Sequence, residues 1–239
     1  MYFTEDIVKR VILKLSGEAL FNQGSGYDDD LIKDIAKQIN ELICKGLDIG
    51  IVIGGGNYWR GRTSENITRG KADQIGMLAT VMNCIYVSEI FRTAGIKTEI
   101  FTPFPYSNMT KVFSIDAANE LFASGHVLFF AGGTGHPYFS TDTAIALRAA
   151  ELSADGILLA KNIDGVYDSD PMKNKDAKKY DVLTLDEMVS KQLQVIDLTA
   201  SVLCQENSIP LMVFDLKEDN SIIKAFSDRD FNGTKVIVG

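Results

Sequence analysis

The sequence predicts an α/β fold in which a mostly parallel sheet is covered on both faces by helices. Two observations carry that prediction. Short, nearly continuous apolar runs alternate with helical segments, as strands buried on both faces do. Three of these runs also end in glycine, at Ser16-Gly17, at Gly54-Gly55-Gly56 and at Gly132-Gly133-Thr134-Gly135. In open parallel sheets such carboxyl ends are where ligands bind, so these turns are expected to converge.

Val8 to Leu15 is the first strand, feeding the first glycine turn. After a loose stretch from Asn22 to Tyr27, three aspartates precede Leu31, Ile32, Ile35, Ile39, Leu42 and Ile43. That spacing is helical, with acids at the positive end and Gly46 as the stop. Ile49 to Ile53 is the second strand. Ala72 to Ala94 is apolar around most of its circumference and is closed by Gly95, so it needs cover on more than one side, such as another subunit. Strands follow at Ile96 to Phe101, Val127 to Ala131 and Gly156 to Ala160, with helices at Ile115 to Ala123 and Thr141 to Leu152.

Beyond Lys161 the texture changes. Asp164-Gly165, Asp168 to Asp170, Pro171 and a Lys/Asp-rich stretch predict turns or a hairpin projecting from the sheet. Asp197 to Glu206 reads as a helix, Leu211 to Phe214 as a strand and Lys235 to Val238 as a terminal strand. No linker or repeat interrupts the chain, so residues 1–239 read as one domain, with lobes of roughly 1–155 and 156–239.

The 239 residues are 46% hydrophobic, enough for a sizeable core, and carry a net charge of −8. With a pI near 4.8, a nucleic acid or anionic membrane partner is disfavoured. Cys44, Cys84 and Cys204 are scattered, which suits reduced thiols in the cytoplasm. Two histidines exclude a His/Cys metal cluster. The apolar run near Met1 is broken by Lys14 and reads as neither export signal nor membrane span.

The common nucleotide motifs are absent. GxxxxGK[ST] does not occur, and GxGxxG is broken at Trp59 and at Tyr138. Lys14 is the most informative residue, a charge inside a strand expected to be buried on both faces. The plainer reading is a lysine snorkelling from an edge strand. The functional reading is a cation facing phosphate, with Ser16 and Gly17 supplying backbone donors. Asp142 opens a helix and is either a first-turn acid or the partner that holds Lys14. Arg60 reads as a surface arginine or a phosphate ligand, and Asp73 as a helix-start acid or a site residue.

KLSGEAL (14–20), GGGNYWRG (54–61), ADQIGMLAT (72–80), GGTGHPYFSTDTA (132–144), DGVYDSDP (164–171) and IDLTA (196–200) run in order over nearly the whole chain. Together they closely resemble the bacterial UMP kinases of the amino acid kinase superfamily. The resemblance implies an amino acid kinase-like three-layer α/β/α sandwich with a mostly parallel central sheet. It implies Mg2+ carried with ATP as donor, UMP as acceptor, and a homohexamer built from dimers.

Carried over by position, the resemblance assigns Lys14, Leu15, Ser16 and Gly17 to the ATP phosphate loop, joined by Gly56 and Arg60. Gly55 would approach the UMP phosphate, Asp73 the ribose, and Thr134, Gly135, His136, Pro137, Tyr138, Phe139, Ser140 and Thr141 would wrap that nucleotide. Lys161 or Asn162, with Tyr167 and Asp170, would form the nucleoside end of the ATP site. Asp142 would orient Lys14, and Asp197 would organise the catalytic cations. Many relatives have Asn where this chain has His136. Asn22, Gln23, Gly24, Ser25, Gly26 and Tyr27 fall where some relatives bind an activating GTP, and UTP is the expected inhibitor. No protein ligand for magnesium is assigned.

Two other readings compete. A sibling kinase with a carboxylate or carbamate acceptor would have no use for Asp73. A nucleotide-binding regulator without turnover would tolerate loss of Asp142.

Overall fold

The structure, a computed structural model, describes residues 8–22, 26–59, 66–193, 195–227 and 230–239. Arg10–Leu15 forms β1, and the two-residue strands Phe21–Asn22 (β2) and Gly26–Tyr27 (β3) lead to α1, Asp29–Cys44. Asp48–Ile53 (β4), Arg69–Thr93 (α2), Thr98–Thr102 (β5), Lys111–Val112 (β6), Ile115–Ala123 (α3) and Val127–Phe130 (β7) follow. Next come Thr141–Glu151 (α4), Gly156–Lys161 (β8), Val166–Tyr167 (β9), Lys179–Tyr180 (β10), Val182–Thr184 (β11) and Leu185–Ser190 (α5). Leu198–Glu206 (α6), Leu211–Asp215 (β12), Ser221–Ser227 (α7) and Gly233–Ile237 (β13) complete the chain.

Among the described residues, nine strands form one sheet in the order β11-β13-β12-β8-β1-β4-β7-β5-β6. Every neighbouring pair is parallel except β12 with β13. Successive side chains of a strand point to opposite faces. Val11, Leu13 and Leu15 therefore enter a core shared with α1, α2 and α7, whereas Ile12 enters a second core shared with α3 to α6. The expected layered α/β sandwich is what these residues build.

Helix ends follow their signals. Asp28 accepts from the Leu31 N–H at 3.1 Å, satisfying a free donor of α1. Gly46, Gly95 and Gly125 lie just past α1, α2 and α3 with φ of 89°, 84° and 76°, a conformation costly for any residue with a Cβ.

The projecting hairpin forms as β9 and β10, which pair antiparallel. The loose stretch at 22–27 supplies β2 and β3, also antiparallel. The short elements β6, β11, α5 and α7 go beyond the sequence expectation. Helix α2 starts at Arg69 rather than near Ala72, because Thr68 supplies the first acceptor, its carbonyl taking the Ala72 N–H at 3.0 Å. By length and composition α2 is apolar enough to cross a membrane, yet half of its most apolar window is buried within the chain. Cys84 and Cys204 are buried, and burial pushes each thiol up to about 12, leaving them inert at neutral pH.

Candidate active site

Lys14 lies in β1 opposite Val52 of β4 and Leu159 of β8. It shares a face with Ile12 and so points toward α4. Ser140 caps that helix, its Oγ accepting from the N–H groups of Asp142 at 3.0 Å and Thr143 at 3.4 Å. This fixes Asp142 in the first turn, where its Oδ1 pairs with Lys14 Nζ. Both side chains are about four-fifths buried, at 18% and 21% exposure.

Lys161 ends β8. The register pairs Leu15 with Ala160, so Lys161 comes next and falls on the Lys14 face. Its ammonium donates to the Val195 carbonyl. Burial first, then repulsion from Lys14, brings its pKa down to about 8, while Asp142 pulls it upward.

The three glycine turns meet at one edge of the sheet, because β1, β4 and β7 are adjacent and parallel. Gly54 N–H donates to the Leu15 carbonyl at 3.0 Å, and Gly132 N–H to Thr80 Oγ1 of α2 at 2.8 Å. Gly55 lies so close to α2 that a Cβ there would come within 2.7 Å of the Gly76 carbonyl oxygen. Only glycine fits.

Two cavities flank this edge. The larger, about 500 Å3, is lined by Lys161, Tyr167, Asp170, Lys173, Lys191, Gln192 and Leu193 among others. The smaller, about 180 Å3, is lined by Gly55, Gly56, Trp59, Asp73, Gly76, Met77, Thr80, Gly133, Thr134, Phe139, Ser140 and Thr141. In strand order, β8 and β12 serve the first cavity and β4 and β7 the second, with Lys14 on β1 between them.

Residues 9–215 match the amino acid kinase family. This chain belongs to that family. It is 44% identical over 235 residues to the uridylate kinase of Mycoplasmopsis pulmonis (strain UAB CTIP), covering 96% of each chain. Among solved structures it is similar to the UMP kinase from Ureaplasma parvum, with 35% identity, a TM-score of 0.91, and 96% of this chain and 99% of that one covered. The UMP kinase from Bacillus anthracis gives 32% identity and a TM-score of 0.90 over 96% of each chain.

Within this amino acid kinase fold the predicted residues take distinct places. Asp73 is one turn inside α2, not at its start. Both its oxygens accept from Arg69 Nε at 2.8 Å, and Oδ2 also accepts the Tyr138 N–H at 2.8 Å. Asp197 caps α6, accepting from Ala200 N–H at 2.8 Å, and receives the hydroxyls of Ser140 and Thr143. It thereby ties the start of α4 to α6. Tyr167 donates its hydroxyl to Asp164 at 2.8 Å.

Other predicted residues lie elsewhere. The Leu15 side chain is fully buried on the face opposite Lys14. Asn162 is exposed and lines neither cavity, unlike Lys161. Gly135, His136, Pro137 and Tyr138 also stand outside the cavity walls, with His136 and Tyr138 exposed. In the candidate effector segment, Asn22, Gly26 and Tyr27 belong to β2 and β3, and the Tyr27 ring stacks on Tyr86 at 3.8 Å. Arg60, Gln23, Gly24 and Ser25 lie outside the described residues.

Sequence reasoning singled out neither Trp59, Gly76, Met77 and Thr80 nor Lys191, Gln192 and Leu193. The first four sit inside the two motifs GGGNYWRG and ADQIGMLAT, a signal that was present. The last three come from an unpatterned segment after α5 and left none.

Proposed function

We propose that this chain transfers the γ-phosphoryl group of ATP to UMP, giving ADP and UDP for pyrimidine nucleotide synthesis. The observation that carries this reading is the lysine pair at one glycine-rich sheet edge, with Lys161 in the wall of the larger cavity and Lys14 beside it on the strand between the two cavities. Phosphoryl transfer asks little covalent chemistry of a protein; it asks for alignment and for fixed positive charge at the transferring oxygens. Relatives named uridylate kinase and UMP kinase support the pyrimidine acceptor.

In this reading the larger cavity takes ATP, with Tyr167 beside adenine and Asp170 near the nucleoside end. The smaller takes UMP, with Asp73 accepting ribose hydroxyls and Thr134, Phe139, Ser140 and Thr141 around the nucleotide. Lys14, Ser16, Gly17, Gly56 and Lys161 meet the ATP phosphates, and Gly55 meets that of UMP. Arg60 joins them on the strength of the resemblance. A UMP phosphate oxygen attacks the γ-phosphorus in line. With a second phosphate pKa of about 6 it is already ionised, so no general base is needed. Asp142 holds the Lys14 ammonium in place, and Asp197 fixes the helix start that carries Asp142.

Magnesium enters with ATP and neutralises phosphate charge. Among the described residues no group of three or more His, Cys, Asp or Glu side chains is disposed to hold a metal. Asp142 and Asp73 already face Lys14 and Arg69. These donors suit an ion held mainly by phosphate oxygens and water. The substrates support a cytoplasmic setting, the exposed apolar stripe of α2 supports a homo-oligomer, and residues 22–27 are the proposed effector segment for GTP, with UTP as inhibitor.

A coupled ADP-release assay tests the reading, with UMP, CMP, dUMP, acetylglutamate and carbamate each offered beside Mg-ATP. ADP release is expected with UMP far above the rest. Release with acetylglutamate or carbamate alone, or with none, would discard it.

A further inference from the structure

We infer that Asn83, a fully buried residue of α2, is a positioning residue that locks the two phosphate-facing glycine turns into one rigid unit. The inference rests on the kinase reading for what those turns hold, but its geometry stands without it.

Asn83 has no solvent exposure. Its Nδ2 donates to the Gly54 carbonyl at 2.7 Å and to Asn57 Oδ1 at 2.8 Å. Its Oδ1 accepts from Asn57 Nδ2 at 3.0 Å and from the Tyr27 hydroxyl at 2.7 Å. Two donors and two acceptors are the full capacity of a primary amide, so every site is used. Because a carbonyl can only accept, Gly54 fixes which end of the Asn83 amide is nitrogen. The reciprocal pairing then fixes Asn57.

The first glycine turn rests on this amide pair. A Cβ on Gly17 would collide with the Gly54 carbonyl, and would lie 2.5 Å from Asn57 Oδ1 and 2.9 Å from Asn83 Nδ2. Gly54 N–H in turn donates to the Leu15 carbonyl at 3.0 Å. The turn after β1 thus packs at Gly17 directly against an amide pair whose hydrogen bonds hold the turn after β4 to α2 and to Tyr27. A buried amide is a costly way to fill a helix–sheet interface unless all its bonds are made, and here all are. The arrangement sets the spacing between the turn proposed for ATP and the turn proposed for both phosphates. Misplacement of about 1 Å at such a site is enough to lose about 10²-fold in rate. Asn83 touches no substrate in this scheme; it acts through Gly54 and Asn57.

The test compares wild type with Asn83→Asp and Asn57→Ala. Asn83→Asp keeps the shape but turns an oxygen toward the Gly54 carbonyl and Asn57 Oδ1, pushing the turn after β4 off α2 and out of its packing against Gly17. Should it fail to fold, Asn57→Ala, at a half-exposed turn position, decides alone. Both variants are expected to lose about 100-fold in kcat, with KM for ATP and UMP within about threefold. Amide hydrogen exchange at Gly54 is expected to quicken at least tenfold, with β1 and β7 core amides unchanged. The double variant adds little to either single one, as members of one network do. A folded Asn57→Ala enzyme with less than tenfold loss in kcat, or a loss carried by KM, overturns the role. If wild type shows no transfer to UMP, the kinase reading falls instead, and exchange at Gly54 alone decides whether Asn83 and Asn57 tie the turns.

Discussion

Lys161 shares the Lys14 face of the sheet, on the neighbouring strand and two residues beyond the Leu159 that pairs with Lys14. Burial disfavours the charged form of Lys161 first, and repulsion from the Lys14 ammonium on the same face adds to it. Its folded pKa is about 8, against an ordinary 10.5. Between those values the unfolded chain holds the extra proton, so this lysine makes the ligand-free protein more stable as pH rises from 8 to 10.5. Below pH 8 the burden of burying the charge is present in full.

Turnover should move the other way. The kcat/KM for ATP is expected to fall above about pH 8 as the free enzyme loses this charge. Lys161→Met should remove the stability slope between pH 8 and 10.5 and lower activity by about 10²-fold or more. A wild-type profile flat from about pH 7 to 10 would sink the assignment.

The Lys14–Asp142 pair makes a separate prediction. Lys14→Ala should lower kcat by about 10³-fold or more while UMP affinity by titration calorimetry stays within about threefold. Asp142→Asn keeps the shape of the helix start but frees the ammonium it orients, and should cost about 10²-fold in kcat. Near-normal turnover of Lys14→Ala would remove it from the chemistry.

What the sequence could reveal follows from burial. Strands covered on both faces leave unbroken apolar runs, so β1, β4, β7 and β8 were legible, and a charge inside one of them made Lys14 conspicuous. Strands β6 and β11 are two or three residues long and carry no period. Helix α7 buries Ile222, Ala225 and Phe226 at helical spacing, but over too few residues to announce itself. Which of Lys161 and Asn162 shares the Lys14 face depends on where β8 ends. The apolar run stops at Ala160, the strand continues to Lys161, and parity then puts that lysine beside Lys14. Met77 and Thr80 stand inside the ADQIGMLAT motif, but α2 is apolar on nearly every side, so composition does not tell which of its faces meets the glycine turns.

Asp73 is already bonded by Arg69 and by the Tyr138 N–H, so ribose hydroxyls must share or displace those partners. Hydrogen bonds to a charged group are worth about 1.5–3 kcal/mol, or roughly 10- to 150-fold. Asp73→Asn should therefore raise KM for UMP by at least about tenfold and leave KM for ATP nearly unchanged. Arg69→Ala, which leaves the carboxylate held by the Tyr138 N–H but without its ion pair, should act in the same direction but less. Equal effects on both nucleotides would move Asp73 out of the acceptor site.

Ile75, Leu78, Met82, Ile85 and Tyr86 are 38–49% exposed and follow one another along α2 at intervals of three, four, three and one. Residues at spacings of three and four share a helix face, so these form an apolar stripe opposite the face that buries Val81, Cys84 and Phe91 in the core. Contiguous exposed apolar surface of this kind marks interfaces. A second copy of the same stripe is its proposed cover, since self-complementary faces meet about a twofold axis. Sedimentation velocity should then find wild type heavier than its single 26.3 kDa chain. Leu78→Glu with Met82→Glu, both already partly exposed, should sediment as a smaller species with its circular dichroism intact. A wild-type protein that runs as one chain at micromolar concentration would leave the stripe without this partner.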